Sequence, residues 1–150
     1  MTYFMLERTQ EFKSPLQDVF DFFAEPYNLE RITPEFLKFS IVTSPPIKME
    51  EGTRISYRLK LRGIPVKWTS TIMDWNPPFG FTDEQTKGPY KYWRHEHKFE
   101  ENGAGTLVTD KIWYKVPGGP LAPILNFFYV RRDLQKIFNY RAETMKGIFD

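Results

Sequence analysis

Two histidines, two aspartates and an arginine are the residues whose types and spacing could do chemistry in this chain. Trp93, His95, His97 and Phe99 alternate with polar neighbours, so on a strand all four side chains share one face. Asn102-Gly103 is a strong two-residue hairpin signal. If that pair forms the loop, Glu101 faces Ala104. Counting back then sets Phe99 opposite Thr106, His97 opposite Val108, His95 opposite Asp110 and Trp93 opposite Ile112. A one-residue slip would turn Lys111 and Lys115 inward and is rejected. The inner face therefore carries His95, His97, Asp110 and, further along, Tyr114. Tyr92, Arg94, Glu96 and Lys98, with Thr109, Lys111 and Trp113, fall on the solvated side. Phe81 on the preceding strand points inward too, and alternation brings Asp83 and Gln85 with it.

Such a cluster has four readings. It can be a satisfied polar network, since buried polar groups persist when paired. It can orient a mostly apolar guest, as a few polar groups do in most binding pockets. A histidine held by a carboxylate can also move protons at an enolisable or hydratable carbon, with His95 and Asp110 as the acid–base pair. Histidines at i and i+2 can ligate zinc with Asp83 or Asp110 as a third ligand, but the chain has no further histidine, and no metal is expected. Arg141 lies on an apolar stripe of the last helix. It either lays its stem along apolar surface or pairs its head with a cavity carboxylate or a ligand's anionic group.

The elements that position these groups read in order. Thr2 to Lys13 alternates weakly, as a first strand. Ser14-Pro15-Leu16-Gln17 combines a capping serine, a proline for the first helical position and a capping-box glutamine. Leu16, Val19, Phe20 and Phe23 are the buried stripe of the helix that follows, stopped at Glu25-Pro26. A second short helix holds Leu29 and Ile32 and ends before Thr33-Pro34. From Phe36 the period becomes two, with strands at about 36–43, 53–62, 65–75, 79–86, 90–100 and 105–116 between proline- and glycine-rich turns. After Pro117-Gly118-Gly119-Pro120 comes a long helix, Leu121 to Asp150. Its stripe is Phe127, Val130, Leu134, Ile137, Phe138, Arg141, Met145 and Ile148. Its first half has a second apolar face, formed by Leu121, Ile124, Leu125 and Phe128, that calls for a ligand, a lid, a partner subunit or a membrane.

Bulk composition narrows the classes. At 150 residues with 27% charged side chains and a net charge of +2, the chain suits one globular domain, 1–150, and gives no argument for nucleic acid. There is no cysteine, which removes disulfides and thiolate chemistry. Glu7 and Arg8 interrupt what would be the core of a signal peptide. No apolar run approaches the roughly 18 residues of a membrane span. A cytoplasmic monomer or homodimer without a cofactor is expected. No phosphate-binding glycine loop and no nucleophile elbow occur.

The order of elements, and the stretches Arg31-Ile32-Thr33-Pro34, Pro77-Pro78-Phe79-Gly80-Phe81-Thr82-Asp83, Gly88-Pro89-Tyr90, Trp93 to Phe99 and Phe138-Asn139-Tyr140-Arg141, resemble the SRPBCC group of START-like helix-grip proteins. Bacterial polyketide cyclase/dehydrase-like members are the nearest in pattern. The resemblance implies an α+β fold: a curved antiparallel seven-stranded sheet around a long C-terminal helix, with two short helices after the first strand. It also implies a hollow between sheet and helix that takes a small hydrophobic ligand of lipid, isoprenoid, quinone or aromatic polyketide type. Tyr57, Trp68, Phe81, Trp93, Tyr114 and Phe128 would line that cavity. Asp83, Gln85, His95, His97, Asp110 and Arg141 would supply its polar contacts. The alternative is a cyclase or dehydratase working through His95 and Asp110.

Overall fold

The computed structural model describes residues 3–150; Thr2, where the first strand was expected to begin, lies outside them. The strands are β1 (Phe4–Phe12), β2 (Ser40–Ile41), β3 (Arg54–Leu61), β4 (Ile64–Asn76), β5 (Gly80–Lys87), β6 (Tyr92–Asn102) and β7 (Gly105–Lys115). They form one seven-stranded sheet in the order β1-β7-β6-β5-β4-β3-β2, with every neighbouring pair antiparallel. The first two strands thus lie at opposite edges, and the short helices between them carry the chain across the sheet.

The first of these, α1 (Leu16–Phe23), buries Leu16, Val19, Phe20, Phe22 and Phe23, each worth roughly 1.5–3 kcal/mol on burial. Its start differs from the expected capping box. Pro15 is the N-cap without a side-chain bond, and the Ser14 hydroxyl donates instead to the Phe149 carbonyl at 2.6 Å. That bond ties the head of α1 to the end of the chain, a long-range partner invisible to local pattern. The second helix is a 3-10 helix, Pro26–Ile32. A further 3-10 turn, Glu35–Leu37, takes the front of the predicted 36–43 strand and leaves β2 only two residues.

The C-terminal helix runs without a break through a short α2 (Ala122–Leu125), a π-turn (Asn126–Val130) and α3 (Arg131–Phe149). The π-turn corrects the predicted stripe. Leu134, Phe138 and Met145 are buried as expected, but Asn126 comes inside and Phe127 stays outside. A wide turn inserts a residue into the 3.6 period, so a stripe counted back from Leu134 at constant pitch falls one residue off.

Buried side chains form two clusters. Phe12, α1, Phe81, Phe99, Met145 and Phe149 make one. Trp68, Trp93, Ile112, Tyr114, Leu134 and Phe138 anchor the other. The gap between them is the cavity described next. Among the described residues no helix is long and apolar enough to cross a membrane.

Candidate functional site

The hairpin of β6 and β7 turns on Gly103-Ala104, not Asn102-Gly103, because Asn102 pairs with Gly105. Gly103 takes φ 62° in the first loop position, where a II′ turn wants glycine. The register is therefore displaced by two: His95 faces Ile112, His97 faces Asp110 and Trp93 faces Tyr114. A shift of two keeps every side chain on its face, so His95, His97 and Asp110 still converge.

They meet diagonally. His97 faces Phe81 and His95 faces Asp83 across β5, yet His97 Nε2 donates to Asp83 Oδ2 at 2.5 Å and His95 Nε2 to Asp110 Oδ1 at 2.7 Å. Imidazole stems reach such diagonal neighbours readily. The opposite ring nitrogens face the other carboxylates: His95 Nδ1 lies 3.8 Å from Asp83 and His97 Nδ1 3.5 Å from Asp110. The assignment of donors follows from the carboxylates, which when ionised only accept. Both Nε2 atoms are thus bonded to carboxylates, while the Nδ1 atoms lie near a carboxylate without a hydrogen bond, and both rings line the cavity.

Stacking locks this arrangement. The two imidazoles lie 3.7 Å apart at 23°, Phe81 stacks on His97 at 4.3 Å and 19°, and Phe138 meets His95 edge-on at 5.8 Å. Ring pairs of this kind contribute about 0.5–1.5 kcal/mol each. Donor atoms of Asp83, His95 and His97 fall within 4.8 Å of one another. The ring lone pairs, however, lie in nearly parallel planes, so a metal would require the imidazoles to splay before both could reach it.

Charge in the cluster is held by its own members. Burial raises the Asp83 carboxyl, but the His97 hydrogen bond, with the charges of His95, His97 and Arg141, outweighs it and leaves the pKa lowered. Asp110 follows the same balance, with His95 as its hydrogen-bond partner. Burial, then the neighbouring His95, hold His97 below its ordinary value despite the Asp83 bond. Arg141 is pushed down by burial, against the pull of Asp110 and Asp83. Its guanidinium lies 4.9 Å from the Phe138 ring. Its Nε, like His97 Nδ1, is buried with no hydrogen-bond partner among the described residues.

The cavity has a volume of about 150 Å³. Of the residues expected to line it, Tyr57, Trp68, Phe81, Asp83, Trp93, His95, His97 and Arg141 do. Asp110 lies behind His95, and the Tyr114 hydroxyl donates to Asn126 Oδ1 at 2.7 Å. Gln85 turns its amide to the Tyr90 backbone, donating at 2.7 Å and accepting at 3.2 Å, and so staples the turn after β5. Phe128 is half exposed on the outside of the helix. Four of the twelve expected residues are therefore off the wall; Gln85, Asp110 and Tyr114 are held by contacts that alternation cannot reveal.

The wall also holds groups that sequence reasoning passed over. Ser70 receives the Trp68 indole N–H at 3.0 Å and shares a hydrogen with the Tyr57 hydroxyl at 2.5 Å. Its place in phase with Trp68 and Ile72 was the available signal. Leu134 and Phe138 come from the helix stripe. Leu37 and Phe39 come from the segment expected as the 36–43 strand, which forms a 3-10 turn and irregular chain before the short β2.

A curved antiparallel sheet closed by a C-terminal helix over a polar-ended cavity defines a START-like helix-grip protein. Three solved structures share it. A Mycobacterium smegmatis START superfamily protein has a TM-score of 0.66 at 13% identity, over 97% of this chain and 96% of that one. Protein Ms6760 of the same organism has 0.69 at 16%, over 96% and 89%. The ginseng (Panax ginseng) major latex-like protein 151 has 0.71 at 13%, over 99% and 98%. Identities this low speak for fold alone. Residues 13–139 match the model of the polyketide cyclase / dehydrase and lipid transport family, and the chain belongs to that family. No curated protein sequence matches it. Family and fold fit a protein that binds a small hydrophobic ligand or acts on one as a polyketide cyclase does.

Proposed function

We propose that the chain binds a small, mainly apolar ligand in the cavity, with a hydrogen-bond-accepting end turned to Arg141. The observation that carries this is the buried, unpartnered Arg141 Nε at the polar end of an otherwise apolar wall. A buried donor without a partner is costly, and a guest carbonyl or carboxylate would satisfy it. Asp83, His95 and His97 would set the orientation of that guest through their charge and their stacked faces. The volume limits its size. About 150 Å³ suits a benzene-sized molecule and falls below the roughly 300–1,000 Å³ of pockets for larger ligands. A ring-sized head would fit as the cavity stands, while an isoprenoid, quinone or lipid tail would need it to widen.

Native mass spectrometry of the purified protein tests the reading. A small molecule that co-purifies and leaves on denaturation is the expected result. An unliganded mass, together with no binding of single-ring ketones or acids in calorimetry, would overturn it.

The second reading, a cyclase or dehydratase, is favoured by the His95–Asp110 pair at 2.7 Å, a carboxylate-oriented imidazole of the kind acid–base catalysis uses. Nε2 of His95 is held by Asp110, while Nδ1 lies 3.8 Å from Asp83, beyond a hydrogen bond, and would be the nitrogen that meets substrate. His95→Gln should then abolish turnover of an enolisable polyketide while leaving its binding intact. Turnover unchanged in this variant would remove His95 from the chemistry.

A further inference from the structure

At the start of the C-terminal helix an asparagine is buried and two phenylalanines are not. Asn126 is 7% exposed, while Phe127 and Phe128 are 55% and 50% exposed. The orientation is fixed by the bond from the Tyr114 hydroxyl to Asn126 Oδ1 and by the burial of Ala122. With those two inside, Leu121, Ile124, Phe127 and Phe128 fall on the opposite side of the helix by its angular spacing. Leu121 and Ile124 are 59% and 55% exposed. A polar side chain has been taken in and an apolar face turned out, so burial in the core does not explain this face.

The charge around it selects what could cover it. From Lys111 to Arg132 the chain has basic residues and no acid. Lys115 borders a groove beside Pro120 and Pro123, and Arg131 and Arg132 follow directly after the apolar turns. The next acid, Asp133, is already engaged by Arg62 through two bonds of 2.9 and 3.0 Å. A second copy of this chain, docked face to face about a two-fold axis, would bring the same cations together, with Glu7, in the groove it shares with Arg131, as their nearby carboxylate. An anionic lipid surface offers both the apolar phase and the countercharge, which is how interfacial helices bind. From this we infer that Leu121, Ile124, Phe127 and Phe128 dock the protein on an anionic bilayer, with Lys115, Arg131 and Arg132 at the headgroups. Leu134, Ile137 and Phe138 of the same helix line the cavity, so docking holds the ligand site close to the bilayer.

Vesicle co-sedimentation tests this, using phosphatidylcholine alone and about one part phosphatidylserine in four. The protein should pellet with the anionic vesicles and be released by salt. Each basic residue near such a surface contributes roughly fivefold in partitioning, so Arg131→Gln/Arg132→Gln should weaken binding about twenty-five-fold. Phe127→Ser/Phe128→Ser should weaken it at least tenfold, roughly as expected for removing half-exposed rings from the apolar phase, with an unchanged melting curve. Failure to pellet with anionic vesicles, or binding that neither double variant alters, would overturn the inference. So would a dimer in sedimentation velocity that Phe127→Ser/Phe128→Ser dissociates, which would assign the face to a second copy.

Discussion

Replacing Arg141 by methionine separates a residue kept for a ligand from one kept for the fold. Methionine keeps much of the length and removes the charge. The Arg141 Nε is buried and makes no hydrogen bond among the described residues, so its desolvation is poorly repaid. A buried charge whose desolvation is poorly repaid costs free energy that an apolar side chain of similar length does not. The urea midpoint of Arg141→Met should therefore equal or exceed that of the wild type. Binding should move the other way. A hydrogen bond to a charged group contributes about 1.5–3 kcal/mol, or roughly 10- to 150-fold in affinity. Calorimetry with acetophenone, benzoate and ethylbenzene, all ring-sized, reads this directly. The wild type should prefer the two acceptors, and Arg141→Met should lose that preference while keeping ethylbenzene. A stability loss of about 3–5 kcal/mol with ligand preference unchanged would refute the reasoning. It would make Arg141 the countercharge of Asp83 and Asp110, which its proximity already helps to keep ionised.

Other outcomes follow from the same geometry. His97 is held below its ordinary 6.5, so the unfolded chain takes up a proton first, and the stability present above about pH 6.5 is lost as pH falls through the folded value. Asp83 and Asp110, both below 3.8, add a second loss under that pH by the same sign. Urea midpoints across this range should fall in two stages, and His97→Gln should remove up to about 1.4 kcal/mol per pH unit of slope from the first. A first stage equally steep in the variant would assign it elsewhere. Zinc added in excess should leave the melting temperature unchanged, since the stacked imidazoles cannot share an ion as they stand; a rise would mean that the rings splay readily. Gly105→Ala should destabilise by about 2 kcal/mol or more, because a Cβ there would sit 2.1 Å from the Phe12 carbonyl oxygen. A wild-type melting curve for it would contradict the close approach of β1 and β7.

The sequence by itself determined the faces. Alternation placed Phe81, Trp93, His95, His97, Phe99 and Asp110 inside, and that assignment survived even the wrong hairpin loop, because a two-residue displacement preserves the side of every residue. Element order and the long last helix carried the fold class, since a run of strands with short connections leaves an antiparallel meander as the simple solution. Tertiary structure decided which inward residues touch each other. His97 bonds diagonally to Asp83 and His95 to Asp110, partners that depend on strand twist and rotamer as well as on register. Gln85 was drawn to a turn backbone, Ser14 to the far end of the chain and Tyr114 to Asn126. Each of those contacts joins segments that local periodicity treats as independent. The π-turn made the largest difference. One residue of extra winding brought Asn126 in and turned Phe127 outward, and a period read at constant pitch contains no sign of it.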